Sequence, residues 1–158
     1  MKKLTLSLLA AALAALAACA PAPGESGEGL SLYFASTEDA GAALVPVEYT
    51  GAEEPGVRQL MSALLAGPEE PGLTSAVPSW VTLRGYRLED GVLYLDLSEN
   101  YGGLSGVDLT LADYAITLTL TQLPEIASVN ITADGQSLSY RSHQILTTEE
   151  ALLWAEEP

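Results

Sequence analysis

The clearest repeat of apolar residues along this chain lies between positions 57 and 65. Apolar side chains recur there at intervals of three and four residues: Val57, Leu60, Met61, Leu64 and Leu65. This spacing predicts an amphipathic helix whose apolar stripe faces a core. We expect the helix to have Pro55 in its first turn, with Glu53 and Glu54 at its positively polarised start. Gly67, followed by a proline, should end it.

Alternating apolar and polar residues predict strands on both sides of this helix. Residues 30–36 and 43–49 form two such runs, and Pro46 places the second at the edge of a sheet. After the helix, two further runs flank Asp90 and Gly91, a pair of residues typical of a tight hairpin turn. The chain is therefore predicted to contain antiparallel strands both before and after its first helix.

The second half of that hairpin and a later run share the same alternation. Three leucines at positions 93, 95 and 97 alternate with Val92, Tyr94 and Asp96, so we expect the leucines to face the core. Residues 128–137 predict a strand, a turn at Asp134 and Gly135, and a second short strand.

The segment from 107 to 125 fits two patterns. Ile116, Leu118 and Leu120 alternate with threonines, as in a strand, and threonine disfavours helix. The length of the segment and a second set of apolar positions at helical spacing favour a helix, which we predict, capped by Asp108 or Thr110.

The last twelve residues predict a short helix. Thr147 or Thr148 can cap its start, and Leu152 and Leu153 are expected to dock it.

The order of these elements predicts an α+β fold. We expect a two-layer sandwich in which one mostly antiparallel sheet of short strands is covered by two helices. The predicted domain spans residues 30–146, and residues 147–158 form a helix or tail after it.

The first 29 residues have a different composition from the rest. Lys2 and Lys3 precede a run of leucine and alanine that extends to Ala18, the layout of a secretory signal. The run is shorter than the ~20 residues of a spanning helix. Its end, Leu-Ala-Ala-Cys at 16–19, resembles the lipobox of bacterial lipoproteins.

That resemblance implies that residues 1–18 are a signal peptide and that Cys19 receives a diacylglycerol and becomes the mature N-terminus. The alternatives are an ordinary signal peptide with an unrelated free cysteine, or an uncleaved anchor helix. Because Cys19 is the only cysteine, it cannot form a disulfide within the chain. Residues 19–29, rich in Ala, Pro, Gly, Ser and Glu, are expected to be a flexible tether.

The charge of the mature chain limits its partners. After Cys19 there are four arginines and no lysine against 21 acidic residues, a formal charge of −17. This excludes nucleic acid as an expected partner and argues against attraction to anionic lipid. Membrane attachment would then depend on the lipid at Cys19.

Four segments in a fixed order carry a family resemblance. They are residues 32–34 (LYF), 60–78 (LMSALLAGPEEPGLTSAVP), 91–101 (GVLYLDLSENY) and 119–136 (TLTQLPEIASVNITADGQ). Together they resemble the GerMN domain of sporulation and spore germination proteins. The resemblance implies an extracytoplasmic, often lipid-anchored module without catalytic residues, linked to sporulation, germination and envelope assembly. The chain departs from the protein that named the domain in carrying one copy where that protein carries two.

Candidate chemistry elsewhere in the domain is sparse. Asp96, Glu99 and Asp108 border a glycine-rich loop and carry the oxygen ligands that calcium prefers, but their spacing matches no standard calcium loop. His143, the only histidine, lies in a polar run without a nucleophile motif and is expected at the surface. Trp80 is expected in the core or at its rim, with sugar stacking as the alternative. We therefore expect no catalytic, cofactor or metal residues.

The predicted function is that of a lipid-anchored, non-enzymatic interaction module on the extracytoplasmic face of a bacterial membrane. Its expected partners are the membrane, through Cys19, and other envelope proteins, with sporulation or germination as a possible setting. The alternative is a module that binds cell wall or a solute.

Overall fold

The structure is a computed structural model that describes residues 29–38, 43–139, 141 and 143–156, with side chains of the last helix described as far as Leu152. Cys19, the predicted signal peptide and the predicted tether except Gly29 lie outside these residues. Within them the strands are β1 Ser31–Ser36, β2 Leu44–Glu48, β3 Leu73–Thr74, β4 Leu83–Glu89, β5 Val92–Leu97, β6 Ser128–Ala133, β7 Gln136–Ser137 and β8 Ile145–Thr147. The α-helices are α1 Val57–Ala66, α2 Gly106–Leu120 and α3 Thr148–Glu156, and a 3₁₀ turn spans Glu99–Gly103.

The α+β class is confirmed, but the described strands form two sheets where one was predicted. The smaller sheet has the order β2-β1-β3. The larger has the order β4-β5-β6-β7, with β8 also pairing with β6. Helix α2 is buried on several sides and contacts strands of both sheets. As predicted, β2 lies at an edge, where Pro46 needs no ladder partner for its nitrogen.

Strand pairing is mostly antiparallel, as predicted, with one exception at the centre of the larger sheet. β5 and β6 run parallel, in register from Val92↔Ser128 to Leu97↔Ala133. Parallel neighbours need a long crossover connection, and α2 with its preceding 3₁₀ turn supplies it. This β5-α2-β6 unit places α2 against the sheet while α2 also contacts β1 of the smaller sheet.

The predicted stripe of α1 is confirmed. Four of its five apolar residues are buried, and Leu65 is partly buried against the core. The predicted start is wrong: Pro55 precedes the helix, and no acidic residue lies in the first turn. Gly56 is the N-cap, and the Gln59 Oε1 accepts a hydrogen bond from the Gly56 N–H at 3.2 Å. This bond satisfies the backbone donor that the predicted acidic start would have left to solvent. Gly67 ends the helix, as predicted, with a φ of 86°.

Helix α2 is confirmed, and its burial explains why its pattern was ambiguous. Ten of its fifteen residues are buried, including Ile116, Leu118, Leu120 and the two threonines that alternate with them. A helix buried on several sides does not show a single apolar stripe. The predicted caps are wrong: Asp108 and Thr110 lie inside the helix, and Ser105 is the N-cap residue.

The polar side chains of α2 are satisfied locally, which allows them to be buried. The Thr117 hydroxyl donates to the Asp113 carbonyl at 2.8 Å, one turn back. Thr119 Oγ1 accepts a hydrogen bond from the Tyr33 N–H of β1 at 3.3 Å. Just after the helix, Gln122 pairs with both backbone groups of Ser31, at 2.8 and 2.7 Å. These bonds attach α2 to the smaller sheet.

Both predicted hairpin turns are confirmed. Asp90 and Gly91 have φ angles of 50° and 80°, and Asp134 and Gly135 have φ angles of 51° and 74°. Two successive residues with positive φ form the two-residue turn whose twist matches that of paired strands. The first turn sets the β4–β5 register, and the second connects β6 to β7.

The terminal helix α3 is confirmed with one correction. Thr147 caps it: the Thr147 hydroxyl and the Glu150 carboxylate form a reciprocal capping box at 3.4 and 3.0 Å. Leu152, predicted to dock the helix, is 50% exposed, and the fully buried Ala151 lies against the core instead. Leu153 lies outside the described side chains. No described helix has the length and apolar character needed to cross a membrane.

Candidate functional site

Three of the four described arginines lie on β4 or beside it. Arg84 and Arg87 lie on β4, and Arg58 lies on α1 with its guanidinium 6.0 Å from the centre of the Tyr86 ring on β4. The remaining described arginine, Arg141, is buried. In a chain with 21 acidic residues, this grouping makes the β4 side of the domain electrostatically distinct.

Two apolar side chains on β4 are exposed although they share a face with the core. Tyr86 pairs with Leu95 and Leu88 pairs with Leu93, and paired residues point to the same side of a sheet. The partners on β5 are fully buried, whereas Tyr86 is 45% and Leu88 42% exposed. β4 is the edge strand of the larger sheet, so these side chains extend past the layer that covers the core.

We use the name β4 edge patch for Arg58, Tyr86, Arg87 and Leu88. Beside it, between α1 and the start of β4, lies a groove of about 500 Å³ lined in part by Leu65, Val81 and Leu83. A strand at a sheet edge presents backbone N–H and C=O groups without partners, which can pair with an added strand. From Gly85 to Glu89 the pairing with β5 is regular, so this part of the edge is straight enough to accept one.

The opposite face of the larger sheet is covered by polar contacts. The Arg87 guanidinium stacks 4.0 Å from the Tyr94 ring centre and bonds Glu89 at 2.9 Å. Arg84 contacts the carboxylates of Asp96 and Asp134. Arg58 differs from both, because it has no carboxylate partner among the described residues.

A buried polar cluster lies under α2. The Asp113 carboxylate accepts hydrogen bonds from two nitrogens of Arg141, at 2.5 and 2.7 Å, and from the Tyr101 hydroxyl at 2.5 Å. Arg141 also donates to the Ile131 carbonyl of β6 at 2.6 Å. The side chains of Asp113 and Arg141 are 6% and 4% exposed.

The environment of this cluster shifts its ionisation. Burial raises the pKa of the Asp113 carboxyl, and Arg141 and Tyr101 oppose that rise. Burial and the neighbouring Asp113 carboxylate raise the pKa of the Tyr101 hydroxyl well above its usual value of 10.0, so Tyr101 remains a proton donor. Because all of these groups are engaged with one another, the cluster stabilises the fold and offers no free group to a ligand.

The structure separates the residues of the calcium alternative. The Asp96 carboxylate accepts bonds from Thr132 Oγ1 at 2.8 Å and from the Gly135 N–H at 2.7 Å, and so holds the β6–β7 turn. Asp108 lies in the first turn of α2. Across the described part of the chain, no three His, Cys, Asp or Glu residues are grouped closely enough to hold a metal ion.

Other residues singled out in the sequence have structural positions. His143 is 71% exposed, as predicted, with its Nδ1 3.8 Å from Glu150. Ser75 donates to the Val77 carbonyl at 2.6 Å and ties the loop after β3. Trp80 is 62% exposed and lies at the rim of the domain rather than in its core. The lipid attachment predicted for Cys19 lies outside the described residues.

The β4 edge patch was not predicted, although a signal for it was present. Once a two-residue turn at Asp90 and Gly91 is accepted, counting outward from it pairs Leu88 with Leu93 and Tyr86 with Leu95. What the count does not reveal is that β4 has no further neighbour, because that depends on the strand order of the whole sheet.

Comparison with known proteins agrees with this fold. A family model, Germane, described as sporulation and spore germination, matches residues 31–139. The tandem GerMN domains of the sporulation protein GerM from Bacillus subtilis share 19% identity with a TM-score of 0.60, over 77% of this chain and 46% of that one. The first GerMN domain alone shares 16% identity with a TM-score of 0.58, over 77% of this chain and 98% of that one.

A third solved structure is also similar to this chain. A candidate lipoprotein from Clostridium perfringens shares 25% identity with a TM-score of 0.51, over 77% of this chain and 87% of that one. No curated protein matches the chain. The chain spans just under half the length of the tandem-domain structure, in keeping with a single copy of the domain. Since the family model covers more than half of the sequence, the chain belongs to the sporulation and spore germination family and carries one GerMN domain.

Proposed function

We propose that this protein is a lipid-anchored, non-enzymatic module on the extracytoplasmic face of a bacterial membrane, and that it binds an extended acidic segment of another envelope protein at the β4 edge patch. The observation that supports the interaction is the combination at that edge of an open strand, two exposed apolar side chains and Arg58 without a carboxylate partner. The lipobox at residues 16–19 and the likeness to a candidate lipoprotein support the anchor.

The chemistry of the edge favours one class of partner. An added strand would form backbone hydrogen bonds with β4 and place alternate side chains beside Tyr86 and Leu88. Acidic side chains on that strand would face Arg58 on one side of the sheet and Arg87 on the other. The rest of the mature chain is strongly acidic and would repel such a segment, so charge complementarity directs it to this edge.

A pair of peptides tests the interaction. A ten-residue peptide of valine and threonine with two adjacent glutamates at its centre, so that one glutamate faces each side of the added strand, is expected to bind the full chain in detergent, with its strongest amide NMR shifts along β4. The same peptide with lysine in place of glutamate should bind at least about tenfold more weakly, a difference of about 1.4 kcal/mol. Arg58→Glu should remove most of that preference.

Val107→Glu is the matched control, since it adds negative charge at an exposed position on α2, outside the β4 edge patch. It should leave the peptide preference unchanged. Failure of the acidic peptide to bind, or binding that Arg58→Glu and Val107→Glu alter equally, would refute the assignment of this edge.

The anchor is tested by mass spectrometry of the protein expressed in a bacterium that processes lipoproteins. Trypsin cleaves after lysine and arginine, so the mature N-terminal fragment should extend from Cys19 to Arg58 and carry the mass of a diacylglycerol. Cys19→Ala should abolish lipid incorporation and cleavage before residue 19, because the thiol is the site of acylation.

Ala20→Ser, next to the lipobox, serves as the control and should be lipidated like the natural sequence. An unmodified Cys19 in the mature protein would overturn the anchor without affecting the interaction at β4.

A further inference from the structure

A second candidate surface surrounds Trp80 and shares no residue with the β4 edge patch. This side chain is 62% exposed, the most exposed large apolar residue of the described chain. It lines a groove of about 870 Å³ formed with the 3₁₀ turn Glu99–Gly103 and the β6–β7 hairpin. An exposed indole presents a large, flat apolar face together with one N–H donor, which suits it to contact with an amphipathic ligand.

The polar side chains around this tryptophan are uncommitted. The Trp80 indole and the amides of Asn100 and Gln136 make no hydrogen bond to any other described side chain or backbone group. By contrast, the side-chain amides of Gln59, Gln122 and Gln144 each make at least one hydrogen bond to the backbone. The groove therefore holds planar donors and acceptors that are free to pair with a ligand.

The groove is open beside the 3₁₀ turn because the residues there are small. Gly102 and Gly103 lie in it beside Ala133. A Cβ added at Gly102 would lie 3.4 Å from the Ala133 Cβ, and one added at Gly103 would point into open space. Leu104 and Leu138 complete the lining with apolar surface.

The charge of the groove restricts the ligand. Its lining contains Glu99 and Asp134 and no basic residue. Asp134 is engaged by Arg84, which leaves Glu99 as the one carboxylate of the groove lining without an ion-pair partner among the described residues. An anionic ligand would be repelled, whereas a neutral, hydroxyl-rich ligand would meet an aromatic face, two amides and one acceptor carboxylate.

We propose that this groove binds a neutral glycan bearing N-acetyl groups. A pyranose ring stacks on Trp80, its hydroxyls and acetamido group pair with Asn100, Gln136 and Glu99, and the acetamido methyl contacts Leu104 and Leu138. The ligand has two possible sources, a soluble oligosaccharide or the glycan strands of the cell wall. This site neither uses nor requires the β4 edge patch.

The presence of only two tryptophans makes the site directly measurable. In the full chain carrying Trp154→Phe, solubilised in detergent, Trp80 is the sole indole. Titration with tetra-N-acetylchitotetraose is expected to shift or quench its fluorescence in a saturable way. The same titration followed by calorimetry on the natural sequence should give the same affinity, which controls for the substitution.

Variants inside and outside the groove distinguish a specific glycan site from non-specific binding to exposed aromatic side chains. Trp80→Ala should weaken binding by about tenfold or more, Trp80→Phe should retain part of it, and Asn100→Ala should weaken it by a few fold. Tyr86→Ala removes an exposed aromatic side chain from the β4 edge patch and should leave glycan affinity unchanged. Equal losses for Trp80→Ala and Tyr86→Ala, or no saturable signal with the oligosaccharide, would overturn the proposal.

Purified peptidoglycan distinguishes the two sources of the ligand. Saturable co-sedimentation of the chain with peptidoglycan, competed by tetra-N-acetylchitotetraose, identifies the wall as a source. Binding of the oligosaccharide without co-sedimentation supports the site and assigns it to soluble glycans. If peptidoglycan binds Trp80→Ala as well as the natural sequence, the groove is not the glycan site.

Discussion

Replacing Asp113 with alanine is expected to lower the free energy of unfolding by about 3–5 kcal/mol, the loss typical of breaking a buried ion pair. Asp113 is the shared acceptor for Arg141 and Tyr101. Without the Asp113 carboxylate, the Arg141 side chain, which is only 4% exposed, keeps the Ile131 carbonyl as its one hydrogen-bond acceptor among the described residues. The Tyr101 hydroxyl keeps no acceptor among them. Urea unfolding followed by circular dichroism measures the change.

Two variants test whether the loss of stability comes from leaving the Arg141 charge buried without a partner, rather than from losing the attraction between Asp113 and Arg141. The double variant Asp113→Leu with Arg141→Met replaces the pair by apolar side chains and should be less destabilised than either single change. Glu89→Ala breaks the exposed pair with Arg87, whose side chains are 60% and 56% exposed, and should cost less than about 1 kcal/mol. Equal losses for Asp113→Ala and Glu89→Ala would contradict this account.

The second large effect concerns α2. Ile116→Ala and Leu118→Ala are each expected to cost about 2–5 kcal/mol, because both side chains are buried although they project in different directions from the helix. Ile116 belongs to the main core cluster, and Leu118 precedes Thr119, the residue that bonds β1. A surface helix would tolerate one of these two changes, whereas a helix in contact with both sheets tolerates neither.

Val107→Ala provides the matched control on the same helix. Val107 is 55% exposed in the first turn, so its truncation should change the unfolding free energy by less than about 0.5 kcal/mol. The three variants are compared by the midpoint and slope of their urea transitions. A loss confined to Ile116→Ala would mean that the burial of Leu118 contributes little to stability and that α2 depends on one covered face.

The proposed functions place different demands on the same small domain. The β4 edge patch and the Trp80 groove involve different elements, and neither includes the buried cluster around Asp113. If both proposals hold, the two surfaces would let the domain contact an envelope protein and a glycan at the same time. The peptide and oligosaccharide experiments assess each surface on its own.

Local patterns predicted the elements that depend on near neighbours. The stripe of α1 and the turns at Asp90 and Asp134 were identified correctly, because helix spacing and positive-φ turns are determined within a few residues. The errors occurred where distant contacts decide. Leu152 was predicted to dock α3, but the buried residue is Ala151, since the side of a short helix that faces the core depends on what lies beneath it.

Composition, periodicity and motif order are properties of the linear chain, and they were enough to predict the α+β class and the family. The packing of the whole fold divides the strands into two sheets around α2, since that division depends on which strands pair across the fold. The packing of the fold also determines which residues face solvent. Arg58, distant in sequence from β4, meets Tyr86, and Trp80 projects from a rim beside the glycines of the 3₁₀ turn. Both candidate surfaces combine residues that are distant in sequence and become neighbours only in the folded chain, so the pattern of near neighbours along the sequence does not predict them.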